Sequence, residues 1–142
     1  MLILDTNVIS ETMVAAPYPA VLEWWSRQQS AELFSTTVTI AEILYGIRLL
    51  PQGKRRATLL AGADRMFGNV LSGRILPFDE EASRAFAEIA AARRAQGRPI
   101  AEFDAQIAAI TRSRRATLAT RNTEDFEGCG VRLENPWQPV EG

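Results

Sequence analysis

The chain contains no histidine and a single cysteine, Cys129. Without histidine, the Ser-His-Asp and Cys-His arrangements, paired-histidine nuclease chemistry and imidazole-ligated metal sites are all excluded. One cysteine can make no internal disulfide and no thiolate cluster for zinc, so Cys129 is expected to fill space near a turn. Lysine is almost missing too: Lys54 stands alone, and the rest of the basic charge is arginine. No apolar run approaches the ~18 residues a membrane-spanning helix needs, and no basic region with a small-residue cleavage site opens the chain. The expectation is a cytoplasmic protein without membrane association. Any catalysis must use carboxylates, hydroxyls, amides or arginines.

What remains is an ordinary globular composition: 142 residues, 46% hydrophobic and 23% charged. That length suits one domain, which buries roughly two-thirds of the surface its unfolded chain exposes, so residues 1–142 read as a single unit. Sixteen basic side chains against seventeen acidic ones leave a net charge of −1, which makes no global case for nucleic acid. The basic residues nevertheless cluster, at Lys54-Arg55-Arg56, at Arg93-Arg94 with Arg98, and at Arg112, Arg114, Arg115 and Arg121. By default these are solvated helix ends, where a cation complements the carbonyl end of the dipole.

Leu2-Ile3-Leu4 reads as a short buried strand, followed by a helical stretch that Pro17 and Pro19 interrupt. Val21, Leu22, Trp24 and Trp25 recur at helical spacing, and Leu33-Phe34-Ser35 reads as a second strand. TTVTIAEILYGIRLL opens on threonines suited to capping and continues as a helix stopped by Pro51. A further helix is expected from Arg55 to about Phe67, ended by Gly68-Asn69, before a strand in GRILPFD. Asp79 caps the next helix, which carries Glu80 and Glu81 in its first turn and Arg93 and Arg94 in its last, and Gly97 closes it. IAEFDAQIAAITRS is another helix, LAT at 118–120 a strand, and VRLENPW a final short strand or extended tail. Strands apolar on both faces and alternating with helices argue for an α/β fold, a parallel sheet covered on two sides.

Four places in this scheme hold acids where a core or a crevice is expected. Asp5 directly follows the first strand, at the carboxyl end of the sheet where open α/β folds place their sites; Asp5 or Asn7 could equally cap the next helix. Glu42 has Val38, Tyr45, Gly46 and Leu49 as same-face neighbours, and Asp104 has Ile100, Ala101, Ile107 and Ala108, so both are expected on packed helix faces. Asn122 and Asp125 occupy the loop after the LAT strand, as site residues or as turn formers. Several carboxylates from separate segments, with no softer ligand beside them, suit a hard cation such as Mg²⁺ or Mn²⁺ and the hydrolysis of a phosphodiester. Phosphoryl transfer through an aspartyl phosphate at Asp5 is a weaker alternative, because Asn7 stands where such phosphatases want a second aspartate and Lys54 is no match for a receiver-domain lysine.

LDTNVIS near the start, TVTIAEILYGI some forty residues on, the late FDAQIAAIT, then LATRNTEDFEG and the closing NPW together resemble the PIN-domain ribonucleases. Among them the chain is most similar to VapC-type toxins of toxin–antitoxin pairs, including the FitB-like branch. The resemblance implies a three-layer PIN-like fold with a parallel sheet of about four to five strands. It implies a metal-dependent endoribonuclease whose acidic core is Asp5, Glu42 and Asp104, with Asp5 and Asp104 as direct ligands of Mg²⁺ or Mn²⁺ and Glu42 acting through water. Thr6, Asn7 and Thr120 would shape the loops around them. The family often has a fourth acid where this chain has Asn122, which leaves Asp125 as the residue to supply that charge; a non-cleaving RNA-binding domain is the alternative that Asn122 keeps open. The resemblance further implies a homodimer, a cognate antitoxin covering the acidic groove, contact with DNA only through that antitoxin, and arginine clusters that touch RNA phosphates.

Overall fold

The computed structural model describes residues 1–138. Five short strands form one parallel sheet: β1 (Leu2–Leu4), β2 (Leu33–Thr36), β3 (Ile75–Leu76), β4 (Thr117–Ala119) and β5 (Arg132–Glu134), in the order β3-β2-β1-β4-β5. The first three crossovers run through α-helices, α1 (Thr6–Thr12) and α2 (Pro19–Ser26), α3 (Thr37–Arg48) and α4 (Lys54–Arg65), and α5 (Glu80–Ala95) and α6 (Glu102–Ser113), and the last through the short 3₁₀ turn Thr123–Phe126. β1 is the central strand, with Ile3 opposite both Phe34 and Leu118, and Leu4 opposite Ala119.

The two-residue period of the strands divides their side chains between two cores. Ile3 and Leu118 pack with Ile89 of α5 and with Ile107 and Ile110 of α6. Leu4 and Ala119 point the other way, toward Val8 and Ile9 of α1, Trp24 of α2 and Ile43 and Ile47 of α3. The result is the expected three-layer α/β architecture. Each fully buried Ile or Leu contributes roughly 1.5–3 kcal/mol, so the central strand is the most strongly fastened part of the sheet.

Local signals explain most boundaries. Thr36 caps α3 by accepting from the Thr39 amide at 3.0 Å, and Asp79 caps α5 by accepting from the Ala82 amide at 2.9 Å. Gly97, at φ +72°, ends α5 in the left-handed region as expected. Two boundaries differ from expectation. Gly68-Asn69 does not stop the fourth helix; the chain runs through both residues in a wide π-turn, Met66–Val70, in which the Leu71 amide donates to the Met66 carbonyl at 2.8 Å. Leu71 is fully buried, and the wider turn swings it into the core. The strand expected across GRILPFD shrinks to Ile75–Leu76, because Pro77 has no N–H to extend the ladder. Among the described residues no helix is long and apolar enough to cross a membrane.

Candidate active site

Asp5 lies immediately past β1, at the carboxyl end of the sheet, and is 4% exposed. Its amide still pairs with the Ala119 carbonyl of β4 at 2.9 Å, so the backbone holds it as firmly as a strand residue. The carboxylate caps α1: Oδ1 accepts from the Thr6 amide at 2.8 Å. Oδ2 accepts from the Thr120 hydroxyl at 2.7 Å and from Asn7 Nδ2 at 3.3 Å. The helix-cap reading of Asp5 therefore holds, and capping does not remove its carboxylate from the end of the sheet. One oxygen starts the helix and the other faces the end of β4.

Thr120 sits one residue past β4 and is fully buried. Its hydroxyl accepts from Asn7 Nδ2 at 3.3 Å and from the Asn122 amide at 3.1 Å while donating to Asp5. Asn7 in turn accepts from the Arg121 amide at 3.3 Å. The loop after β1 and the loop after β4 are thus laced together around one carboxylate.

Glu42 reaches the same place from α3. Its Oε1 accepts from the Thr6 hydroxyl at 2.8 Å, and that hydroxyl lies 3.1 Å from the Thr39 hydroxyl, itself 3.3 Å from Thr36 Oγ1. The expected buried stripe around Glu42 is not what places it there. Of that stripe Val38 is buried, but Tyr45 and Leu49 are 66% and 68% exposed, and Val38 shares the buried face of α3 with Thr39, Ile43 and Ile47. Glu42 stands half-buried at the border of that face, held by threonines that the apolar pattern did not single out.

Asp104 is in the first turn of α6, half-buried, beside Ala105, Ile107 and Ala108. Its carboxylate meets no hydrogen-bond donor among the described residues. Burial, and then the negative charges of Asp5 and Asp125, push its pKa up from 3.8 to about 6. Burial also raises the Asp5 pKa, against the lowering effect of the Thr120 and Thr6 hydrogen bonds, with further upward pressure from Glu42 and Asp125. Burial raises Glu42, opposed by the Thr6 hydroxyl and reinforced by Asp104. The fold therefore brings four expected acids, Asp5, Glu42, Asp104 and Asp125, within electrostatic reach of one another. Asn122 and Asp125 are exposed at the mouth, where Asn122 precedes the short 3₁₀ turn Thr123–Phe126 and its carbonyl accepts from the Asp125 amide at 3.0 Å.

Mutual repulsion of this kind, with none of the four acids in an ion pair among the described residues, suits a bound divalent ion. No three acids among the described residues are close enough together to form a finished cage. That is compatible with Mg²⁺, which keeps several waters and takes only one or two direct carboxylates.

The PIN domain profile matches residues 2–128. The chain belongs to the PIN-domain family. The VapC ribonuclease Y4jK of Sinorhizobium fredii is 41% identical over 143 residues, covering 99% of this chain and 100% of that protein. Toxin FitB of Neisseria gonorrhoeae is 35% identical over 137 residues, covering 96% of this chain and 99% of that protein. The solved structure of FitAB bound to IR36 DNA fragment superposes with a TM-score of 0.91 at 34% identity, covering 99% of each chain.

In this PIN domain the arginine clusters divide. Lys54-Arg55-Arg56 open α4 instead of closing it, so dipole complementarity does not explain them. Arg55 lines a groove with Thr6, Glu42, Ile47 and Leu59. Arg93 is not solvated but 5% exposed, with its guanidinium on backbone carbonyls. Cys129 is buried beside it, the expected filler near a turn. Sequence reasoning read the threonines only as caps and Arg93 only as a helix-end arginine, and so missed the part of Thr39 beside Glu42 and the burial of Arg93. The threonines were visible as a run at the start of α3, whereas nothing local marks Arg93.

Proposed function

We propose that this PIN domain, residues 1–142 as one unit, is a divalent-metal-dependent endoribonuclease, the toxin of a toxin–antitoxin pair. The observation that carries the reading is the convergence of Asp5, Glu42 and Asp104 from three separate segments, with every pKa raised. Its relatives named a ribonuclease and a toxin support the substrate and the role.

Asp5 and Asp104 are the side chains that would hold the ion; Mg²⁺, or Mn²⁺ in its place, would supply the charge that cancels their repulsion and Lewis acidity for phosphodiester hydrolysis. Thr6 and Thr120 fix the Asp5 carboxylate, so that no reorientation is needed as charge develops. Glu42 uses Oε1 on Thr6 and keeps Oε2 for a proton from the attacking water. Its raised pKa makes it a better base than an ordinary glutamate. Arg55, on the groove that Glu42 also lines, contacts the RNA backbone.

The exposed Tyr45, Leu49 and Phe103 suit a homodimer or partner contact, and the partner is a cognate antitoxin through which the pair reaches DNA, in the cytoplasm. A FitAB complex with DNA supports that arrangement.

Replacing Asp5 or Asp104 with Asn should lower Mg²⁺-dependent cleavage of total bacterial RNA by about three orders of magnitude, with the fold intact by circular dichroism. Full activity in either variant would sink the assignment. The second reading, an RNA-binding domain that does not cut, rests on Asn122 at the exposed mouth; Mn²⁺ binding without cleavage of any RNA would favour it. An aspartyl phosphate at Asp5 is disfavoured, because Asn7 stands where a second aspartate is wanted and the sole lysine, Lys54, opens α4.

A further inference from the structure

A buried guanidinium is costly unless its donors are met. Arg93, near the end of α5, is 5% exposed, and among the described residues it pairs with no carboxylate. Its partners are main-chain oxygens: Nε donates to the Arg98 carbonyl at 2.8 Å, and Nη1 to the Asp125 and Glu127 carbonyls at 2.8 and 3.1 Å. Cys129 Sγ lies 3.5 Å from the same nitrogen.

These contacts join two segments distant in sequence. Arg98 belongs to the turn that leads into α6 and hence to Asp104; Asp125 and Glu127 belong to the loop after β4. Phe126, between those two, is almost fully buried, and Gly128, at φ +78°, lets the loop turn back over the Arg93 stem. Phe126 and Cys129 also pack into the core that Ile89 of α5 shares with α6, but such apolar contacts are non-directional; the other polar link, the surface pair Arg98 with Glu127, 3.4 Å apart, is exposed and weak.

We propose that Arg93 is a positioning residue for the active site: its planar fork clamps the turn before α6 to the Thr123–Cys129 loop and so sets the spacing of Asp104 and Asp125. The proposal rests on the metal reading above and adds a residue that touches neither ion nor RNA. Arginine is required because its donors diverge in one rigid plane and reach carbonyls on two segments together, whereas lysine offers one compact ammonium.

Arg93→Met keeps the apolar stem and removes every donor; Arg93→Lys keeps the charge without the fork. In the purified full chain carrying Arg93→Met, amide exchange is expected to speed at residues 123–129 while β1 and β4 stay protected. Mn²⁺ binding, read by paramagnetic resonance, should weaken about 10- to 100-fold, and cleavage of total bacterial RNA should slow by a similar factor. Arg93→Lys should recover part of each loss. A variant whose loop loosens while Mn²⁺ affinity and cleavage stay at wild-type values overturns the proposal, as does one whose loop exchange is unchanged. If Arg93→Met does not fold, Arg93→Lys is judged by the same two criteria. A wild-type chain that binds no Mn²⁺ would instead overturn the metal reading, so the two failures are distinguishable.

Discussion

The two walls of the acidic pocket are built on opposite plans. On the Asp5–Glu42 wall, donors are supplied in advance: Asp5 has the Thr6 amide, the Thr120 hydroxyl and Asn7, and Glu42 has the Thr6 hydroxyl. On the Asp104–Asp125 wall neither carboxylate meets a side-chain donor among the described residues, and burial with the charges of Asp5 and Asp125 pushes the Asp104 pKa up to about 6. One wall carries its geometry in hydrogen bonds; the other is left to be completed by something cationic. A site that took up an ion would benefit from this division, since the laced wall keeps its shape while the open wall supplies the electrostatic demand.

If the laced wall is what holds the geometry, unpicking it should have the largest effect. Thr120→Val removes a buried hydroxyl that serves Asp5, Asn7 and Asn122 together, and is expected to cost about 1–3 kcal/mol of stability in urea melts. Cleavage should fall about 10- to 100-fold through the loosened Asp5. A variant with wild-type activity would mean that the lacing is structural only.

The open wall predicts the reverse sign for stability. Asp104 binds its proton more tightly folded than unfolded, so its charge is a cost that is absent below about pH 4 and fully present above about pH 6. Metal-free protein should therefore become less stable as pH rises across that window, and Asp104→Asn should raise the melting temperature at pH 7 while flattening the slope. Mn²⁺ at a hundred times its Kd should add about 2.7 kcal/mol to the wild type, a shift of several degrees in thermal melts, and nothing to Asp104→Asn. A metal-free melting temperature that climbs from pH 4 to pH 6 would contradict this picture.

The smallest effects belong to the mouth. Asp125→Asn removes a charge that Asp5 and Asp104 both feel, and Mn²⁺ affinity by titration calorimetry should drop roughly two- to fivefold. Asn122→Ala should change it less. The opposite ranking would give the fourth position to Asn122.

Much of this was legible along the chain, for identifiable reasons. The caps at Thr36 and Asp79 and the stop at Gly97 are interactions among residues a few positions apart, and so appear in any local reading. Asp5 was conspicuous because an acid directly behind Leu2-Ile3-Leu4 breaks the apolar pattern. Glu42 was found for a reason the structure does not support, since Tyr45 and Leu49 on its supposed buried stripe face solvent. Periodicity identifies which residues share a helix face but not which face the sheet will cover. Arg93 looked like any helix-terminal arginine beside Arg94, and nothing nearby distinguishes the buried one from its neighbour.

By itself the sequence determined the chemistry available: no imidazole, no thiolate pair, acids at strand ends and on helices, and the order of strands and helices that makes a parallel sheet. These follow from residue type and short-range periodicity, which need no partner distant in the chain. Only the tertiary structure decided that Thr6 would serve Glu42, that Thr120 would serve Asp5, and that Arg93 would hold the loop of Asp125. Those contacts span 36, 115 and 32 residues, and no local preference encodes them. They exist because packing α1, α3, α5 and α6 on the two faces of one sheet leaves a single place, at the carboxyl ends of β1 and β4, where these segments meet.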